Sequence, residues 1–414
     1  MHRASVGILI VCGPALLGAC GLAIARGTPR PIVLREGVRP VTARGAQPER
    51  GTRTGGKRMI VYIGTYTGGK SKGIYRCTFD TNTGALSEPQ LAVEAVNPSF
   101  LTIHPGGKYL YAVNEIGEFQ GKPGGAVSAF AIDARSGDLK LLNQQPTRGG
   151  APCHITLDRE ARHVLVANYS GGSVIVFPIL QDGRLGEATS FVQHEGKSVN
   201  PERQEGPHAH SIYTDPSGKY VVSADLGLDQ VRIYRYNAQQ GQLTPNDPAF
   251  ARTAPGAGPR HFAFTPDGRF GYVINELGNT VTAYAFNSAT GALQEIQTVS
   301  TLPGDFQGQN WTADVQVHPS GKFLFGSNRG HDSIVAFAID VQTGRLTLLG
   351  QTPTQGHIPR NFGIDPTGRF LIAANQESDS LVVFRIDDRT GKLTPTGHTA
   401  TVGKPVCVQF LVQR

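Results

Sequence analysis

His210, Arg260, Glu276 and Arg329 supply an imidazole, a carboxylate and two guanidiniums. A carboxylate or a neutral imidazole can take a proton from water, and a guanidinium offers forked donors to a carboxylate, a phosphate or a developing oxyanion. That inventory suits the opening of an ester or lactone. In this reading a carboxylate or a neutral imidazole activates water, while a guanidinium holds an anionic group or the oxyanion. His154, Asp225, His261, Asp314 and Arg360 form a supporting, substrate-binding shell. Taken singly, each of these residues is more simply a structural hydrogen bond or salt bridge, and for His154 and His208 a strand-end hydrogen bond is the simpler reading. The chemical reading rests on their falling in one register.

Three other motifs fail on context. Gly64 to Ser71 satisfies a phosphate-loop pattern, but a strand-like run, Gly73 to Phe79, stands where that motif needs a helix. His208 and His210 lack a carboxylate or cysteine at supporting local spacing, so no metal site and no cofactor is expected. No Gly-x-Ser-x-Gly elbow accompanies the histidines, which argues against serine-hydrolase chemistry.

The elements that must position these residues come from a repeat. A Gly-x-Leu turn recurs at Gly84, Gly137, Gly183, Gly241, Gly291, Gly344 and Gly391, with spacings of 53, 46, 58, 50, 53 and 47. Seven units of about 51 residues approach the kelch length. Each unit reads as short alternating runs between turns, such as Pro259 to Phe264, the turn Pro266 to Arg269, Phe270 to Asn275 and Thr280 to Phe286, and so predicts antiparallel strands without helices. The first unit, from Met59, lacks its innermost strand, and Pro405 to Phe410 matches that strand without partners of its own. Joining the two ends predicts an all-β, seven-bladed propeller with four antiparallel strands per blade, a ring that leaves only short, protected edges.

In such a ring the start of each innermost strand and the end of the second strand meet at one mouth of the central channel. Ser99, Cys153-His154, His208 to His210, Arg260-His261, Trp311 to Asp314 and Arg360-Asn361 fall in the first set. Tyr66, Asn114-Glu115, Asn168-Tyr169, Asp225, Asn275-Glu276, Asn328-Arg329 and Asn375-Gln376 fall in the second. The recurrent Asn is expected to serve loop geometry, by left-handed backbone and bonds within its own turn. The residue after it varies and supplies the chemistry.

The net charge of +7 is an N-terminal property. Ten Lys/Arg and two Glu lie up to Arg58, leaving 29 basic and 30 acidic residues in the body, so no nucleic-acid groove is expected. Met1-His2-Arg3 followed by the apolar stretch Val6 to Ala19 reads as an export signal too short to span a membrane. Leu17-Gly18-Ala19-Cys20 is similar to a lipoprotein box, in which a lipidated Cys20 would anchor the protein to a membrane; Ala23-Ile24-Ala25 offers ordinary cleavage instead. Residues 1–25 are thus assigned to the signal, 26–58 to a flexible basic tether and 59–414 to the propeller. The expected location is the periplasm or a membrane surface, or the cytoplasm if translation starts later. Cys77, Cys153 and Cys407 are expected as buried free thiols.

Ala257-Gly258-Pro259-Arg260-His261, Asn275-Glu276-Leu277, Trp311-Thr312-Ala313-Asp314 and Pro359-Arg360 resemble the propeller-type 6-phosphogluconolactonases and the related carboxymuconate cyclases, over about Ile60 to the C-terminus. The resemblance implies hydrolysis of an anionic sugar lactone without a required metal. It also implies a site of one His, two Arg and a Glu, matched here by His210, Arg260, Arg329 and Glu276, in which Glu276 or His210 would activate water and Arg260 and Arg329 would hold the anionic group or the oxyanion. An export signal departs from the cytosolic setting of the phosphorylated lactone. An exported carbohydrate- or protein-binding propeller without catalysis and a lactonising cyclase remain the alternatives.

Overall fold

The computed structural model describes residues 58–412. The signal, tether and Cys20 assignments lie outside them. Among the described residues seven four-stranded antiparallel sheets follow one another, and one of them is assembled from both ends of the described segment. In that sheet Pro405–Leu411 is the innermost strand, paired with Arg58–Thr65, which continues to Gly73–Asp80 and Gln90–Glu94. The register runs from Ile60 opposite Leu411 to Gly64 opposite Cys407. This is the predicted closure.

Each blade presents alternating apolar side chains to its neighbours, and seven hydrophobic clusters result, each shared between two adjacent blades. The two clusters flanking the closing blade contain Val408 in one and Cys407 with Leu411 in the other, so the C-terminal strand completes both neighbouring cores. All seven Gly-x-Leu glycines have φ between 63° and 83°. These tight outer turns need the left-handed region, which is why glycine recurs there.

The innermost strands carry a feature that alternation alone does not reveal. Register slips by one residue near the start of Pro152–Leu157, Ala209–Thr214, Pro259–Phe264 and Pro359–Ile364, and likewise where Pro405–Leu411 meets Arg58–Thr65. A bulge re-aims one side chain out of the ladder. The unpaired residues are Cys153, His210, Arg260, Arg360 and Val406, and all five line the neck of the central channel.

The phosphate-loop lookalike is a hairpin: Gly68 and Ser71 form a bridge between two strands of the first blade. The recurrent Asn is structural, and part of the expected device is present: Asn168, Asn275, Asn328 and Asn375 donate from Nδ2 to the hydroxyl that closes their own turn, at Ser173, Thr280, Ser333 and Ser380. None of Asn114, Asn168, Asn275, Asn328 and Asn375 has a positive φ. Four of them donate from Nδ2 to a carbonyl of the loop arriving from an outer strand, at Val96, Thr147, Thr301 and Thr354, tying that loop to the end of strand two.

Candidate active site

The mouth of the channel opens into a cavity of about 270 Å³ lined by Glu115, Cys153, Tyr169, Arg203, His210, Glu276, Trp311, Arg329 and Arg360. Three of the four predicted catalytic residues line it directly. Arg260 lies beneath, at the neck.

Glu276 is the centre of a guanidinium clamp. Arg203 Nη2 donates to Oε1 at 2.7 Å, and Arg260 Nε and Arg329 Nη2 donate to Oε2 at 2.9 and 2.8 Å. Burial by itself would raise the Glu276 carboxyl, but Arg329, Arg260 and Arg203 outweigh it and hold the group well below the usual carboxylate range. Glu276 is therefore a fixed anion whose charge orders three cations. Arg329 Nη2 also donates to the Thr312 carbonyl at 2.9 Å, and Arg260 Nη1 to the Ala313 carbonyl at 2.7 Å, so both forks are set before any substrate arrives.

Behind Arg260 runs a buried chain. Its Nη1 lies 3.3 Å from His261 Nε2, and His261 Nδ1 lies 2.8 Å from Asp314 Oδ1. A guanidinium can only donate, so Nε2 accepts and the imidazole proton sits on Nδ1, directed at Asp314. Burial, followed by the fields of Arg260, Arg360 and Arg329, pushes the His261 imidazole well below its ordinary value. Burial also raises the Asp314 carboxyl to about 6, against hydrogen bonding from Gln316 and the field of Arg260. Asp314 and His261 thus support Arg260 from outside the mouth cavity.

His210 is neutral: burial first, then Arg260, His261 and Arg360, pushes its imidazole well below the ordinary value. Its Nδ1 lies 3.6 Å from Cys153 Sγ. Burial raises the Cys153 thiol, so it is a packing group and not a ready nucleophile. Arg360 reaches the cavity with its guanidinium 5.4 Å from the Tyr66 ring centroid, and among the described residues it makes no side-chain hydrogen bond or ion pair. It is the least committed cation of the site.

On the other wall, Glu115 accepts from Tyr66 Oη, 3.0 Å from each carboxylate oxygen, and from Ser99 Oγ at 2.5 Å. Burial, opposed by Arg360 and reinforced by Glu115, holds the Tyr66 phenol far above its ordinary value, so it remains a donor. Trp311 stands at the rim, 39% exposed.

Two expected shell residues lie elsewhere. Asp225 is fully buried, faces His194 Nδ1 at 2.6 Å and accepts from the His208 backbone at 2.8 Å. It pairs with Ala209 as Asn275 pairs with Pro259, and so occupies the structural Asn position, one residue short of the chemical one. His154 sits one layer down, packed between Phe100 and Tyr213 and accepting from Ile212 N at 3.4 Å; it lines a separate cavity of about 530 Å³ together with Asp314.

Arg203 was missed in the sequence reading. It belongs to the loop between Ser190–Gln193 and Ala209–Thr214, within the repeat whose 58-residue spacing exceeds all others. That extra length was the available signal. Asp229 fixes the loop by accepting from Ser198 Oγ and Gln204 Nε2 at 2.5 and 2.8 Å. No group of three or more His, Cys, Asp or Glu fit for a metal occurs among the described residues.

A seven-bladed β-propeller lactonase family matches residues 60–410. A 6-phosphogluconolactonase of Bacillus subtilis is 42% identical over 86% of this chain and 99% of its own length. One from Formosa agariphila is 38% identical over 74% of this chain and 86% of its own. The solved periplasmic gluconolactonase of Pseudomonas aeruginosa superposes with a TM-score of 0.81 at 36% identity, covering 86% of this chain and 99% of that one.

Proposed function

The chain belongs to the seven-bladed β-propeller lactonase family, and from that premise we propose that it is a lactone hydrolase that opens an anionic sugar lactone by water attack in the mouth cavity. The observation that carries this reading is the charge balance of the site. Four guanidiniums, Arg203, Arg260, Arg329 and Arg360, face two carboxylates, Glu276 and Glu115, which leaves two positive charges around the mouth cavity of about 270 Å³ and its neck. Arg203 and Arg329, already oriented by Glu276, hold the anionic substituent through forked donors. Arg360 and the neutral His210 serve the carbonyl, where negative charge grows in the transition state. Trp311 offers a flat face to the ring.

The test is a panel of sugar δ-lactones, phosphorylated and neutral, followed by acid release and corrected for spontaneous opening. Enzymatic opening of the phosphorylated lactone, with kcat/KM at least tenfold above that of its neutral counterpart, is the expected result. No turnover of any lactone by folded protein would replace hydrolysis with the binding-propeller reading; turnover of muconate derivatives alone would replace it with the cyclase.

We also propose export, with lipid attachment at Cys20, on the strength of the N-terminal pattern and the periplasmic location of the Pseudomonas protein. No helix among the described residues is long and apolar enough to cross a membrane. Intact mass of the mature protein is expected to show an acylated Cys20 terminus, abolished by Cys20→Ser. A mass starting at Met1 would overturn export.

A further inference from the structure

Resting on the lactonase reading, we propose that Glu115, and not Glu276, is the general base that activates the hydrolytic water, with Tyr66 and Ser99 as its positioning residues. Both glutamates follow the Asn that recurs at the end of strand two, in the second and fifth blades, and both line the mouth cavity. Their surroundings differ in kind. Glu276 is bound by three guanidiniums across both oxygens, so taking a proton there would disrupt three ion pairs. Among the described residues Glu115 makes no ion pair, and it is held by two neutral hydroxyls. A carboxylate accepts at about four lone-pair sites, and the two hydroxyl protons, that of Tyr66 shared between both oxygens, leave room for a water. The Tyr66 bond to both oxygens fixes the carboxylate plane, and Ser99 fixes its rotation.

The balance closes on this residue. Water oxygen attacks the lactone carbonyl carbon as its proton passes to Glu115, giving a tetrahedral oxyanion and a protonated Glu115. Collapse of the oxyanion re-forms the carbonyl and breaks the bond from carbon to the ring oxygen, which takes the proton from Glu115 and leaves as a hydroxyl. The new carboxylic acid ionises to solvent, and Glu115 is again a carboxylate.

The experiment compares kcat and KM across pH for wild type, Glu115→Gln and Glu276→Gln, with folding checked by circular dichroism and thermal melting. Wild-type turnover must first be present; its absence rejects the lactonase reading itself. The expected result for Glu115→Gln is a kcat lower by about a hundredfold or more, a KM within about threefold, and loss of the acidic limb of the kcat profile. Glu276→Gln keeps that limb and raises KM. Glu115→Ala is expected to regain at least about tenfold activity with added formate, a response that a purely structural residue does not give. A Glu115→Gln enzyme with wild-type kcat and an intact acidic limb, or failure of formate rescue in a folded Glu115→Ala enzyme, overturns the proposal. Should either Glu115 variant fail to fold, Ser99→Ala decides: a kcat reduced about fivefold or more at unchanged KM supports the assignment, and unchanged kcat rejects it.

Discussion

Glu276 shows how a residue's chemistry follows from what touches it. Its type admits a base or a charge anchor, and three guanidiniums within 2.9 Å decide for the anchor. Removing one partner of a buried, hydrogen-bonded charge pair costs several kcal/mol because the remaining charges lose their compensation. Arg260→Ala leaves Glu276 with two partners and interrupts the chain to His261 and Asp314, so kcat/KM is expected to fall on the order of a hundredfold. Arg203→Ala removes the most exposed member of the clamp and acts on substrate binding. Steady-state kinetics should show KM for a phosphorylated lactone raised about tenfold and KM for a neutral lactone changed less than threefold. Equal effects on both lactones would remove Arg203 from the anionic subsite. At this scale the sequence disclosed residue types but not their partners. Repeat position placed Arg260, Glu276, Arg329 and His210 at one mouth together with Cys153, Glu115, Tyr169 and Arg360, and the family resemblance singled out the four. Asp225 was misplaced because it stands in the Asn position, where the side chain serves the loop.

Two kinds of element turn the repeat into a site, and they differ in how far the sequence reveals them. The innermost strands are legible as alternating runs, and their bulges are not, since an extra residue becomes visible only against its partner strand. Yet the bulge separates the layers. In Pro259–Phe264 it turns Arg260 toward the neck, while His261, back in register opposite Ile274, reaches down to Asp314. The same step in Pro152–Leu157 turns Cys153 to the neck and leaves His154 in the lower layer, which is why a shared register placed both histidines correctly along the chain and only roughly in depth. The loop carrying Arg203 is the second kind. It has no counterpart in the sister units, so repeat comparison is blind to it, although its length is plain. Asn200 Oδ1 accepts the backbone of Glu202 and Arg203 at 3.0 and 3.1 Å, and Gln204 is held by Leu226 and Asp229, so the long loop presents a preset side chain. Preset donors avoid reorganisation when the substrate's charge arrives.

For the molecule as a whole, the ring was the most legible feature, because complementary deficits at the two ends leave one economical solution, and its closure buries the channel groups that set the response to acid. His154, His210 and His261 are all held neutral, chiefly by burial. In the unfolded chain each takes up a proton near its ordinary value of about 6.5. Below that pH the unfolded state binds more protons than the folded one, so the contribution is complete above about 6.5 and is lost as pH falls. Each histidine contributes a slope approaching about 1.4 kcal/mol per pH unit once well below its ordinary value. Asp314 acts in the opposite sense. Burial raises its carboxyl to about 6 from the ordinary 3.8, so between those values the folded state holds a proton that the unfolded state has released, and acidification restores stability. Three protons against one leave a net loss of about 3 kcal/mol per unit around pH 5. Urea unfolding from pH 8.5 to 5 should show a slope that fades above about 7.5 and a steep decline below about 6. His154→Asn keeps an acceptor for the Ile212 amide and removes one titrating group. It should therefore lower the limiting slope by about one proton, whereas a slope identical to wild type would mean that His154 titrates alike in both states and is not the buried neutral group described.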